Sequence, residues 1–113
     1  MKMMNISEDL ASKHYAEHIE KSFFKDLKDY ITSGPVVAMV WQADNCVQLV
    51  RKLVGATKVE ESMPGTIRGD YSLHTPHNVI HASDSDESAK REINLFFKED
   101  EIIDWHDENA KWF

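Results

Sequence analysis

The chain has 113 residues, with 13 basic and 20 acidic side chains, a formal charge of −7, 42% hydrophobic residues and 10% aromatics. These values fit one folded domain over residues 1–113 and exclude extended disorder and a broad electrostatic surface for nucleic acid. A single Cys46 excludes an intrachain disulfide and gives no zinc pattern, no apolar run approaches the ~20 residues of a membrane span, and no signal-peptide pattern opens the chain; a reducing, cytoplasmic setting is expected.

Met1 to Met4 is apolar and basic by turns, as at the tail of a strand. Ser7 can cap a helix running to about Tyr15, with Glu8 and Asp9 favourable in its first turn and Leu10, Ala11 and His14 sharing a face. Phe24, Leu27, Tyr30 and Ile31 recur at helical spacing and predict a second helix, which Gly34-Pro35 ends. Pro35 to Trp41 is an uncharged, valine-rich run of strand length, expected as a central strand covered on both faces. Asp44 or Asn45 then caps a helix with Val47, Val50, Leu53 and Val54 on one side, Gly55 stops it, and Arg51 beside the stripe can reach the rim of a site.

From Ala56 to Gly69 no period is visible, and the Gly and Pro content predicts a long ordered loop of functional kind. Leu73 to Pro76 reads as a turn, Asn78 to His81 as a strand, and Asp86 to Phe97 as a helix with Ala89, Ile93, Phe96 and Phe97 inward. Glu99 to Phe113 holds a short helical turn and then Trp105, Trp112 and Phe113, expected to dock on the body or on a neighbouring subunit. The order of elements suggests an α+β sandwich, with helices packed on an antiparallel sheet.

The chemistry converges on Asn78 to Ser85, where Val79 and Ile80 deliver His81 to the end of the expected strand, just before a helix start. An imidazole of ordinary pKa, near 6.5, is largely neutral at pH 7 and carries a nucleophilic lone pair that can attack phosphorus. A single histidine at a strand end is more often a hydrogen-bonded packing residue, and on His81 alone that reading is the preferred one. His14, His18, His74, His77 and His106 show no ligand spacing.

Pro-Gly-Thr-Ile-Arg-Gly-Asp at Pro64 to Asp70, taken with Asn-Val-Ile-His-Ala-Ser-Asp-Ser at Asn78 to Ser85, closely resembles the signature of the nucleoside diphosphate kinases. His14-Tyr15, Phe23-Phe24, the run Ser33 to Trp41, Gly55-Ala56-Thr57 and the acidic helix after Ser85 extend the resemblance from about Asn5 to Phe113. It implies a ferredoxin-like βαββαβ core. Members of this family ordinarily open with a strand carrying Lys-Pro-Asp and a helix, neither of which precedes Met1. Met1 to Met4 then corresponds to the second strand, and the fold is expected to be N-terminally incomplete. Pro76 and His77 stand where many members carry Gly and Arg.

The resemblance implies roles residue by residue. His81 is the nucleophile of a two-step γ-phosphoryl exchange between nucleotides, and Glu92 accepts a hydrogen bond from the ring nitrogen that does not attack. Ser83 and Tyr15 support them. Arg51, Thr57, Arg68 and Asn78 hold phosphates and sugar, and Phe23 stacks on the base. Read without the resemblance, Glu92 and Arg51 suit a solvated helix face better than a site, and Phe23 suits a core position beside Leu27 equally well. The partners are ATP and other nucleoside tri- and diphosphates. Mg2+ arrives with the nucleotide, no residue is assigned as a metal ligand, and Asp84 helps through water. A homo-oligomer, hexamer or tetramer, follows from the family. A module that keeps the fold and binds nucleotides or oligomerises without catalysis is the alternative.

Overall fold

The structure, a computed structural model, describes residues 1–112. Strand β1 (Lys2–Asn5) leads into helix α1 (Glu8–His14), a one-turn helix at Ala16–His18 and helix α2 (Phe24–Ile31). Strand β2 (Pro35–Ala38) follows, then α3 (Cys46–Val54), a turn at Val59–Glu61, α4 (Ile67–Tyr71), a turn at Thr75–His77 and α5 (Asp86–Phe96), with single turns at Glu99–Glu101 and Ala110–Trp112. This is an α+β arrangement around a two-stranded antiparallel sheet, in which Met3 pairs with Val37 and Met4 with Val36.

Local chemistry accounts for most boundaries. The Ser7 hydroxyl accepts from Leu10 N–H at 3.2 Å to start α1, and Lys13 lies in its last turn, where the helix dipole favours positive charge. Ser85 caps α5 in the same way, its hydroxyl accepting from Ser88 N–H at 3.1 Å. Helix α1 packs between α2 and α5, and α3 packs on α4. Among the described residues Ile6, Ala11 and Val54 are the buried apolar ones, and His14, Arg68 and Ser72 are buried with them. The last segment is tied back to the sheet, because Lys2 Nζ donates to the Glu101 carboxylate at 2.7 Å and lies 4.8 Å from the centre of the Phe97 ring.

Four expectations change. The run Pro35 to Trp41 is a regular strand only to Ala38, and it is not covered on both faces: Val37 is 48% and Trp41 61% exposed. A two-stranded antiparallel sheet with one shielded face produces this alternation instead of a continuous buried run. Asn78 to His81 is not a strand. Ile80 N–H closes back on the Asn78 carbonyl at 2.7 Å and Val79 has φ +58°, which makes a tight turn around a β-branched residue that a ladder cannot contain. Helix α3 has no side-chain cap: Asn45 occupies the cap position in the left-handed region, with φ 53°. Trp105 and Trp112 are each 74% exposed and do not dock on the body of the protomer; Phe113 lies outside the described residues.

The expected loop from Ala56 to Gly69 contains the start of α4, too short to show a period but strongly braced. Thr66 Oγ1 accepts from Gly69 N–H at 3.1 Å and donates to the Met63 carbonyl at 2.6 Å, while Asp70 Oδ1 accepts from Gly65 N–H at 2.8 Å. Gly69 is required by space, since a Cβ there would stand 2.1 Å from the Met63 carbonyl oxygen, a backbone atom that cannot swing away. Gly69→Ala is therefore expected to lower unfolding free energy in urea by roughly 1–3 kcal/mol. Gly34→Ala, which meets nothing within 4 Å, should stay within roughly 0.5 kcal/mol of the parent.

Candidate active site

The turn at Val79 aims His81 toward the side of α5, where Glu92, just past the middle of the helix, faces it. His81 Nε2 donates to Glu92 Oε2 at 2.7 Å, and Ser83 Oγ donates to the same oxygen at 2.6 Å. A carboxylate only accepts, so this contact places the ring proton on Nε2 and leaves the lone pair on Nδ1. The Glu92 side chain is 12% exposed and that of His81 47%, so the carboxylate is enclosed while the ring it orients opens to solvent. Burial alone would raise the Glu92 carboxyl, but the hydrogen bonds from His81 and Ser83 outweigh it and bring the carboxyl down to about 2.

Two guanidinium groups bracket the same backbone. Arg68 Nη2 donates to the Ile80 carbonyl at 2.8 Å and Arg51 Nη1 to the Ala82 carbonyl at 3.1 Å, one on each side of His81. Arg68 is delivered by the braced start of α4 and is only 4% exposed, and its Nε is buried without a partner. Burial, and then the nearby positive charge of Arg51, lower its pKa.

His14, at the end of α1, packs edge-on against the His81 ring with centroids 4.6 Å apart, and against Phe96 of α5 at 5.2 Å. Sequence reasoning gave His14 no part in the site; the signal was its place on the apolar face of α1 with Leu10 and Ala11. From His14 a row of rings continues through Tyr15 (4.6 Å), His18 (6.3 Å further) and Phe23 (5.7 Å further). Burial first, and then the Glu92 charge, raise the Tyr15 pKa, so its phenol stays protonated. Phe23 is 46% exposed at the far end of the row.

The residues proposed from sequence thus separate. His81, Glu92 and Ser83 are hydrogen-bonded together, Arg51 and Arg68 hold the adjoining carbonyls, and Tyr15 reaches the group through His14. Asn78 is half-buried and its carbonyl closes the Val79 turn. Thr57 is exposed just beyond the end of α3, and Phe23 lies at the rim. Among the described residues the single cluster of three His, Cys, Asp or Glu donors is His14, His81 and Glu92. Its nitrogen-rich donor set does not suit Mg2+, which prefers oxygen and keeps its waters. The residues fit a magnesium ion carried in by a phosphate ligand, with exposed Asp84 as the nearby carboxylate; the Ser88 hydroxyl lowers its pKa.

The family profile described as nucleoside diphosphate kinase matches residues 1–102. The chain belongs to the nucleoside diphosphate kinase family. It is 57% identical over 112 residues to a nucleoside diphosphate kinase of Archaeoglobus fulgidus, covering 99% of this chain and 74% of that one. It is 61% identical over 104 residues to one from Methanothermobacter thermautotrophicus, covering 92% and 69%. The fold superposes on a halophilic nucleoside diphosphate kinase of Halobacterium salinarum solved in complex with CDP, with a TM-score of 0.93, 50% identity and coverage of 98% of this chain and 74% of that one. A nucleoside diphosphate kinase family protein of Babesia bovis gives the same TM-score at 40% identity, with 98% and 75% covered. These likenesses place the fold in the ferredoxin-like α+β class.

Acid stability follows from the two shifted groups of this kinase-family site. Burial, and then the neighbouring His81, lower the His14 pKa from 6.5 to about 4. As pH falls below 6.5 the unfolded chain takes up a proton that the native His14 refuses, so stability declines until pH reaches about 4. Glu92 acts lower, contributing stability that is complete above 4.5 and lost as pH falls toward 2. Urea unfolding between pH 6.5 and 4.5 is expected to show a slope steeper in the parent than in His14→Phe by up to ~1.4 kcal/mol per pH unit, the linkage value of one proton.

Proposed function

We propose that the chain is a single-domain nucleoside diphosphate kinase that transfers the γ-phosphoryl group of a nucleoside triphosphate, ATP among them, to a nucleoside diphosphate through phosphorylated His81. The observation that carries this reading is the half-exposed His81 ring held through Nε2 by Glu92, which is itself held by Ser83. Nδ1 attacks the γ-phosphorus, the N–P bond forms as the bond to the bridging oxygen breaks, and the nucleoside diphosphate leaves. A second diphosphate reverses these events and takes the phosphoryl group away. One site serves both half-reactions, so the kinetics are ping-pong.

Glu92 fixes the tautomer and offsets the positive charge that the ring gains as Nδ1 bonds to phosphorus. Ser83 occupies the carboxylate lone pair that would otherwise let Glu92 turn. Arg51 and Arg68 neutralise phosphate charge and stabilise the charge that spreads over the transferred group, with Thr57, Asn78 and the protonated Tyr15 as further donors. Phe23 offers a ring face to the base, a contact open to every base and therefore consistent with broad nucleoside use. Mg2+ held by the nucleotide phosphates, with Asp84 meeting it through water, supplies charge neutralisation when bound.

Assembly as a homo-oligomer, hexamer or tetramer, is part of the same reading. The exposed apolar side chains Met3, Val37, Trp41, Trp105 and Trp112 support it. A cytoplasmic location accords with substrates of this kind, and no helix among the described residues is long and apolar enough to cross a membrane.

Intact-protein mass after incubation with ATP and Mg2+ is expected to rise by one phosphoryl group that mild acid removes and that His81→Ala never acquires. Glu92→Gln, which keeps the shape but not the charge, should lower kcat by roughly 100-fold. No mass gain in the parent chain would sink the phosphohistidine reading.

A further inference from the structure

We propose that His14, His81 and Glu92 form a binding site for a divalent transition-metal ion, Zn2+ in particular, and that the bound ion silences His81 as a nucleophile. The donors come from separate parts of the chain: the end of α1, the turn before α5, and α5 itself. One donor atom from each lies within 4.8 Å of the other two, with His81 Nε2 and Glu92 Oε2 already 2.7 Å apart. Tetrahedral Zn2+ with bonds of 2.0–2.2 Å needs neighbouring donors roughly 3.4 Å apart, so closing this site takes side-chain shifts of about an ångström. Two imidazoles and one carboxylate, with a fourth position open to solvent on the exposed side of His81, is the ligand pattern of zinc sites that keep a water.

A second observation supports a ligand here. His14 is 5% exposed, yet its Nδ1 is buried with no hydrogen-bond partner. Buried polar nitrogens are ordinarily paired, and one left unpaired on a ring whose centroid lies 4.6 Å from that of His81 calls for an explanation. The charge balance is favourable, since one carboxylate and two neutral rings meet a dication. Of the neighbouring cations, Arg51 and Arg68 donate to the Ala82 and Ile80 carbonyls, and Arg91 Nη2 faces the other carboxylate oxygen, Oε1, at 3.8 Å, so none of the three is paired with Oε2.

The silencing follows from the tautomer. A metal on Nε2 displaces the proton from that nitrogen, and the neutral ring carries it on Nδ1 instead, with no net proton released. The lone pair that would attack phosphorus is then used in an N–H bond. The ion also takes Glu92 away from its part in stabilising the ring. Metal binding itself rests only on the geometry; its effect on phosphorylation rests on the proposed role of His81.

Titration of the nucleotide-free protein with Zn2+ against a chelating dye tests the site. One ion per chain is expected, with affinity at least 10-fold weaker in His14→Phe and in Glu92→Gln, and unchanged in His74→Gln and His106→Gln. The ring-nitrogen NMR signals of the parent protein decide the matter if either site variant fails to fold. Zn2+ should move the His14 and His81 resonances and shift the His81 proton from Nε2 to Nδ1. Equal affinity in all variants, or resonances of these two rings that do not respond, would overturn the site. In a parallel arm with ATP and Mg2+, Zn2+ should suppress the acid-labile mass gain of the parent. If His81 is never phosphorylated even without Zn2+, the kinase reading fails while the dye and NMR results still judge the metal site. If Zn2+ binds there and phosphorylation proceeds undiminished, the silencing is overturned.

Discussion

The hydrogen bond between His81 and Glu92 governs the arrangement around it, because a carboxylate so enclosed is tolerable only when its lone pairs are used. Ser83 takes up a second bond to the same oxygen, and together the two donors more than repay the desolvation of the charge. Once Glu92 is fixed as an acceptor, the ring has one free nitrogen and one orientation. The rest of the fold supplies the elements that hold this pair in place: α5 carries the acid, the Val79 turn carries the base, and α1 closes the far side with the His14 ring.

Strain at Val79 is part of that construction. A β-branched residue at φ +58° costs on the order of 1–3 kcal/mol, and such a turn persists only when its surroundings hold it. The surroundings are the two arginines, each donating to a carbonyl beside His81. Arg68 in turn depends on the brace made by Thr66, Asp70 and the close approach at Gly69. The two stretches most telling in the sequence, Pro64 to Asp70 and Asn78 to Ser85, are thus two halves of one mechanical unit.

Helices α1, α2, α3 and α5 were legible because each pairs an apolar face at helical spacing with a stop or a capping residue, Ser7 being the clearest. Asn78 to His81 misled because Val79 and Ile80 have strand-forming side chains, whereas the backbone is decided by tertiary hydrogen bonds that local composition does not encode. Helix α4 was invisible at five residues, where capping by Thr66 and not periodicity sets the conformation. His81, Glu92, Ser83 and both arginines were named through motif resemblance, and the structure brings them together. His14 was not, since a histidine on an apolar helix face looks the same whether it fills a core or borders a site.

The ring of His81 is nearly half open to water, and this gives the proposed reaction a kinetic character of its own. Between the two half-reactions a phosphoryl group would sit on that ring with no nucleotide covering it. Water at that surface competes for the phosphorus with every incoming diphosphate. How much transferred phosphate is lost to solvent then depends on how quickly the next acceptor arrives, so the efficiency of the exchange becomes a property of nucleotide supply as much as of the protein.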